Sequence, residues 1–152
     1  MQNNIYMRKK MNQSINDKFK GNNIMINYGF IKELDIDFED VLKQVTENLK
    51  KAGFGVLTSI DVKEKFKEKL GIDFKKYMIL GACNPANANK AIEAEENVGL
   101  MLPCNVIVYE TDDKVVIAAI KPTVAMQMID NENLKKIAAD IEIKIKQVID
   151  SM

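Results

Sequence analysis

Residues 132–151 place Leu134, Ile137, Ala138, Ile141, Ile145, Val148 and Ile149 on one apolar stripe of a helix, with charged residues around the rest. Such a helix gains little stability alone, so its stripe has to lie against a second layer supplied by the same chain. A second stripe, Phe38, Val41, Leu42, Val45 and Leu49, marks a helix over 38–52, opened by Asp37 and stopped by Gly53. Around these two helices the chain offers runs of strand character. They are 24–34 (IMINYGFIKEL), 54–60 (FGVLTSI), 76–83 (KYMILGAC), 104–110 (CNVIVYE) and 114–121 (KVVIAAIK). Thr111-Asp112-Asp113 joins the last two as a hairpin.

Two shorter helices complete the pattern. Asp61 with Glu64 three residues later has the form of a capping box and opens a lysine-rich helix that ends at Leu70-Gly71. Val62, Phe66 and Leu70 are its inward-facing candidates. Asn84 is a favoured N-cap and Pro85 a favoured first helical residue, so a helix follows directly on the 76–83 strand. The order is strand, helix, strand, short helix, strand, helix, hairpin, long helix. It predicts an α+β fold with a mostly antiparallel sheet covered on one face by helices. Residues 24–152 form a single domain in this reading, with no internal linker.

Residues 1–23 differ in character. Arg8, Lys9, Lys10, Lys18 and Lys20 stand against Asp17 alone, a net +4 that leaves −4 for the remainder of a chain whose 22 basic and 22 acidic residues balance. The expectation is a basic, flexible arm. Met7, Met11, Ile15 and Phe19 sit four apart and would suit a short amphipathic helix against a partner or membrane surface. Met25 offers an alternative start. The overall neutrality argues against nucleic acid as a partner. No apolar run approaches the ~18 residues of a membrane span, and the first residues lack a signal-peptide core, so the expected location is the cytoplasm.

The chain has no histidine and two cysteines. Cys-His and Ser-His nucleophile pairs are excluded, as are zinc sites that need imidazole. Both cysteines are followed by asparagine: Gly81-Ala82-Cys83-Asn84-Pro85 and Leu102-Pro103-Cys104-Asn105-Val106. Cys83 precedes a helix N-terminus, where free N–H groups and the helix dipole favour a thiolate. Cys104 follows a proline at the entry of a strand. Cys83, Asn84, Pro85, Cys104, Asn105 and Lys121 are the candidate ligand-binding residues, and the two cysteines are candidate thiols. Simple burial of the cysteines and backbone capping by Asn84 stand beside those readings. Lys121 could meet an anion at the sheet edge or be solvated. A two-cysteine metal site completed by carboxylates has only weak spacing in its favour. No phosphate loop, dinucleotide fingerprint or nucleophile elbow is present.

The run from Tyr77 to Glu110 resembles the DUF302 family. The resemblance rests on Tyr77-x-Ile79-Leu80-Gly81-Ala82-Cys83-Asn84-Pro85, on Ala91-Ile92-x-Ala94-Glu95, and on Gly99-Leu100-Met101-Leu102-Pro103-Cys104-Asn105-Val106. It implies a β-α-β4-α fold with the shape, but not the function, of the TATA-binding protein. It further implies a small, dimeric prokaryotic protein and no established activity. Family members often carry a histidine in the helix after the first motif, where this chain has Asn89. The residue before Pro122 is often acidic or small-polar in the family and is Lys121 here.

Three functions follow as expectations. The first is a small-molecule or partner-binding module centred on the Cys-Asn motifs, its ligand and any cofactor unknown. The second is a thiol enzyme, redox protein or sulfur carrier using Cys83 and Cys104. The third is a structural homodimer module with inert cysteines.

Overall fold

The computed structural model describes residues 25–152. The basic arm, with its candidate helix, lies outside the described residues. The chain runs through β1 (Gly29–Leu34), α1 (Phe38–Lys51), β2 (Gly55–Asp61), α2 (Val62–Leu70), β3 (Tyr77–Cys83) and α3 (Pro85–Ala94). A 3₁₀ segment (Glu96–Met101) leads to β4 (Cys104–Glu110), β5 (Val115–Ile120), α4 (Pro122–Ala125) and α5 (Glu132–Asp150). With the short segments set aside, this is the β-α-β4-α order.

The five strands form one sheet in the order β1-β5-β4-β3-β2, and every neighbouring pair is antiparallel. The hairpin turn between β4 and β5 closes with Thr111 N–H donating to the Lys114 carbonyl at 2.8 Å. First and last strands meet when β1 pairs with β5, from Gly29 opposite Ile120 to Leu34 opposite Val115. That pairing puts α1 and α5 on the same face.

Their stripes meet the sheet there. Val41, Val45 and Leu49 of α1 pack with Ile141, Ile145 and Val148 of α5, and with Leu80, Val106, Val108 and Ile117 from the strands. Each such side chain taken out of water contributes roughly 1.5–3 kcal/mol. At 19 residues, α5 is about 28 Å long, whereas a seven-residue strand reaches about 23 Å. Its N-terminal half therefore needs cover from beyond the sheet. A second cluster supplies it, made of Ala91 from α3, Val98, Met126, Leu134 and Ala138. Asn131 fixes this corner twice. Its Oδ1 accepts from Leu134 N–H at 3.0 Å, and its Nδ2 donates to the Ala94 carbonyl at 2.8 Å.

Local signals account for most boundaries. Asp61 Oδ1 accepts from Glu64 N–H at 3.0 Å, and α2 ends at Gly71 with φ 67°, a left-handed conformation that favours glycine. Asp37 occupies the N-cap of α1 without a side-chain hydrogen bond. Two expectations need correction. The first strand begins at Gly29, not at residue 24, and Leu70 does not turn inward. It is 64% exposed, and α2 has no fully buried residue. Its Phe66 ring meets Phe74, in the segment leading into β3, edge-on at 5.1 Å.

Candidate binding site at the Cys-Asn end of the sheet

Antiparallel pairing brings the two Cys-Asn motifs to the same end of the sheet. Ala82 lies opposite Cys104 in the β3–β4 register, and Cys83 lies opposite Gly55 in the β2–β3 register. Carrying the Val106–Ala119 register on by two residues sets Lys121 level with Cys104. All six candidate residues thus converge on one edge of three adjacent strands, although they are spread over about forty positions of sequence.

Convergence of the backbones does not bring the two thiols face to face. Cys104 belongs to the main core with Val106 and Ala82 and is 5% exposed. Cys83 is one residue beyond Ala82, so strand alternation turns its side chain to the other face of the sheet. Both cysteines are free thiols. Burial pushes the Cys104 thiol up to about 11, and the nearby Cys83 adds to the shift. Burial also pushes the Cys83 thiol up. This is opposite to the direction expected from the helix N-terminus, and its cause is desolvation of the thiolate.

Asn84 caps the helix. Its Oδ1 accepts from Asn87 N–H at 3.1 Å, and its backbone sits in the extended region that an N-cap requires. Its amide nitrogen lies 3.1 Å from where a Cβ on Gly53 would stand, and Gly53 has φ 86°. A side chain at residue 53 would thus be both strained and crowded against the cap. Pro85 is exposed in the first turn, as is Asn105 on β4. Lys121 does not reach toward the thiols. Its Nζ lies 5.0 Å from the centroid of the Phe30 ring, and its N–H donates to the Tyr28 carbonyl at 2.9 Å.

Three features near the motifs lack a signal of their own in the sequence. Gly81 packs too closely for any side chain, since a Cβ there would collide with Thr58 Oγ1 and come within 2.7 Å of Pro103 Cγ. The peptide before Pro103 is cis. Asn87, in the first turn of α3, has a side-chain Nδ2 that is fully buried and finds no hydrogen-bond partner among the described residues. Asparagine there reads in the sequence as one more polar helix residue, and only packing reveals the orphan donor.

Open clefts lie at the opposite end of the sheet. One of about 550 Å³ is lined by Asp35, Asp37, Asp40, Glu110, Asp112 and Asp113 with Lys114. A smaller one of about 210 Å³ lies between Phe38, Lys76 and Tyr77. Among the described residues, no group of three or more cysteine or acidic side chains is arranged to hold a metal ion. No described helix is long and apolar enough to cross a membrane.

Comparison with known proteins gives the same assignment as the fold. A crystal structure of an uncharacterized conserved DUF302 protein from Bacillus stearothermophilus superposes with a TM-score of 0.77 at 34% identity. The match spans 82% of this chain and 98% of the Bacillus chain. No curated protein matches. The profile of DUF302, a domain of unknown function, matches residues 30–152. With strand order, Cys-Asn spacing and profile in agreement, the chain belongs to the DUF302 family.

Proposed function

We propose that this DUF302 domain is a binding module whose ligand carries a carboxylate, phosphate or carbonyl oxygen and sits at the Cys-Asn end of the sheet. The observation that carries this reading is the buried Asn87 Nδ2, which has no partner among the described residues. A buried donor left unpaired costs about 1–3 kcal/mol, and native proteins keep few of them. An acceptor atom arriving with a ligand would satisfy it. The first turn of α3 adds its free N–H groups and positive dipole end. Exposed Asn105 and half-buried Cys83 lie at the same end of the sheet, on β4 and β3.

Thiol chemistry is the weaker reading. Both thiols are shifted away from the thiolate, their side chains leave the sheet on opposite faces, and no histidine is available as a base. A homodimer is compatible with either reading and is addressed by the experiment in the next subsection.

The test is thermal unfolding of the full chain with acetate, pyruvate and inorganic phosphate, each titrated into the millimolar range, in wild type, Asn87→Ala and Asn84→Ala. At least one of these anions should raise the wild-type Tm in proportion to the logarithm of its concentration and leave Asn87→Ala unmoved. Without ligand, Asn87→Ala should be as stable as wild type or more so, whereas Asn84→Ala should lose about 1 kcal/mol with its cap. Equal responses of wild type and Asn87→Ala, or no response to any of the three, would refute the assignment.

A further inference from the structure

α1 and α5 cover one face of the sheet. The opposite face is apolar across its middle. Ile79 and Ile107 lie side by side on β3 and β4, Ile60 flanks them on β2, and Ile31 lies opposite Ala118 on β1 and β5. None of these residues belongs to either core cluster of the helical side. Val116 and Ala118 on the same face are nevertheless buried. A two-layer domain normally presents polar side chains on a solvated sheet face, alternating with the core face. Here both faces are apolar, the pattern of a sheet covered on both sides.

We propose that the outer face of the sheet is the docking surface for this chain's own residues 1–24. Three observations favour that occupant. The described chain starts at this face: the Ile26 side chain comes within 2.8 Å of where a Cβ of Gly29 would stand, and Gly29 faces away from the helical core. The segment is long enough. Met7 to Phe19 would span about 18 Å in helical form, against about 19 Å across five strands. Met7, Met11, Ile15 and Phe19 at four-residue spacing would give it one apolar stripe. Charge agrees as well, since the segment carries +4 and the remainder of the chain −4, and Glu33 lies exposed on the same face.

The experiment places a photoreactive benzoylphenylalanine at residue 107 of the full chain, a half-buried position on that face. Equal amounts of ¹⁴N and ¹⁵N protein are mixed, irradiated and mapped by peptide mass. The expected result is insertion into residues 7–19 of the same isotopic chain. The double variant Ile15→Asp with Phe19→Asp should reduce that yield about tenfold or more, because two apolar anchors are lost. Mixed-isotope products would make a second copy the occupant and overturn the proposal. So would insertion confined to residues 25–152, or none at all. Should the residue-107 variant fail to fold, the same probe at residue 79 reads the same face. Failure here leaves the Cys-Asn binding reading untouched, since that reading is tested by ligand-dependent Tm.

Discussion

Cys104 makes a quantitative prediction about alkaline stability. Its thiol is raised from 9.0 to about 11 in the folded protein because burial penalises the thiolate, with Cys83 as a second cause. The native state therefore holds this proton more tightly than the unfolded chain does. Between those two values the unfolded state releases the proton first, so it binds fewer protons and rising pH favours unfolding. The contribution is fully present below about pH 9 and disappears as pH rises through about 11. That difference is worth roughly 3 kcal/mol, of which about half should be gone by pH 10. Tyr77 and Tyr109 also titrate high because of burial, so the total pH dependence is not attributable to one group. The informative quantity is the difference between wild type and Cys104→Ala in urea unfolding at about pH 8, 9, 10 and 10.5. Any fixed cost of the substitution should shrink by roughly 1–2 kcal/mol between the low-pH plateau and pH 10. A difference that stays flat over that range would show that the Cys104 thiol is accessible to water in the native state and would refute the burial argument.

Other predictions follow from the same geometry. Gly81→Ala should cost about 1–3 kcal/mol through overpacking against Pro103 and Thr58. Combining it with Thr58→Gly should recover part of the loss in a double-mutant cycle, since Thr58 supplies the nearer of the two collisions. Asn131→Ala should cost about 1–2 kcal/mol, because it removes the α5 cap and the bond to the Ala94 carbonyl together. Amide exchange in α3 should then accelerate along with that at the start of α5. In native protein at about pH 8, iodoacetamide should modify Cys83 slowly and Cys104 only on unfolding. Rapid labelling of Cys83 with a lowered apparent pKa would revive the thiol-chemistry reading.

Local pattern was enough to place the principal elements. The stripes of α1 and α5 recur at helical spacing, and Gly53, Gly71, Asp61 and Asn84 each mark a boundary by conformational or capping preference. These signals reside in neighbouring residues, so a single sequence displays them. The 3₁₀ segment and α4 carry no apolar stripe, being short turns held by the second core cluster beneath α5, although Pro122 opens α4 as Pro85 opens α3. The family was legible as well, because the two Cys-Asn motifs with their flanking glycines and proline are specific. The candidate residues were legible as types but not as an arrangement.

That arrangement belongs to tertiary structure. Which strands neighbour which is decided by burying both helical stripes on one face, and this long-range pairing brings Cys83, Cys104 and Lys121 to one edge. Register then sends the two thiols to opposite faces, something no count of the twenty residues between them contains. The sequence by itself determined the element types, their caps and the family, because each rests on spacing along the chain. Burial of Cys104, the unpartnered Asn87 donor and the apolar outer face rest on which distant side chains exclude water, and that is decided only when the sheet closes against its helices.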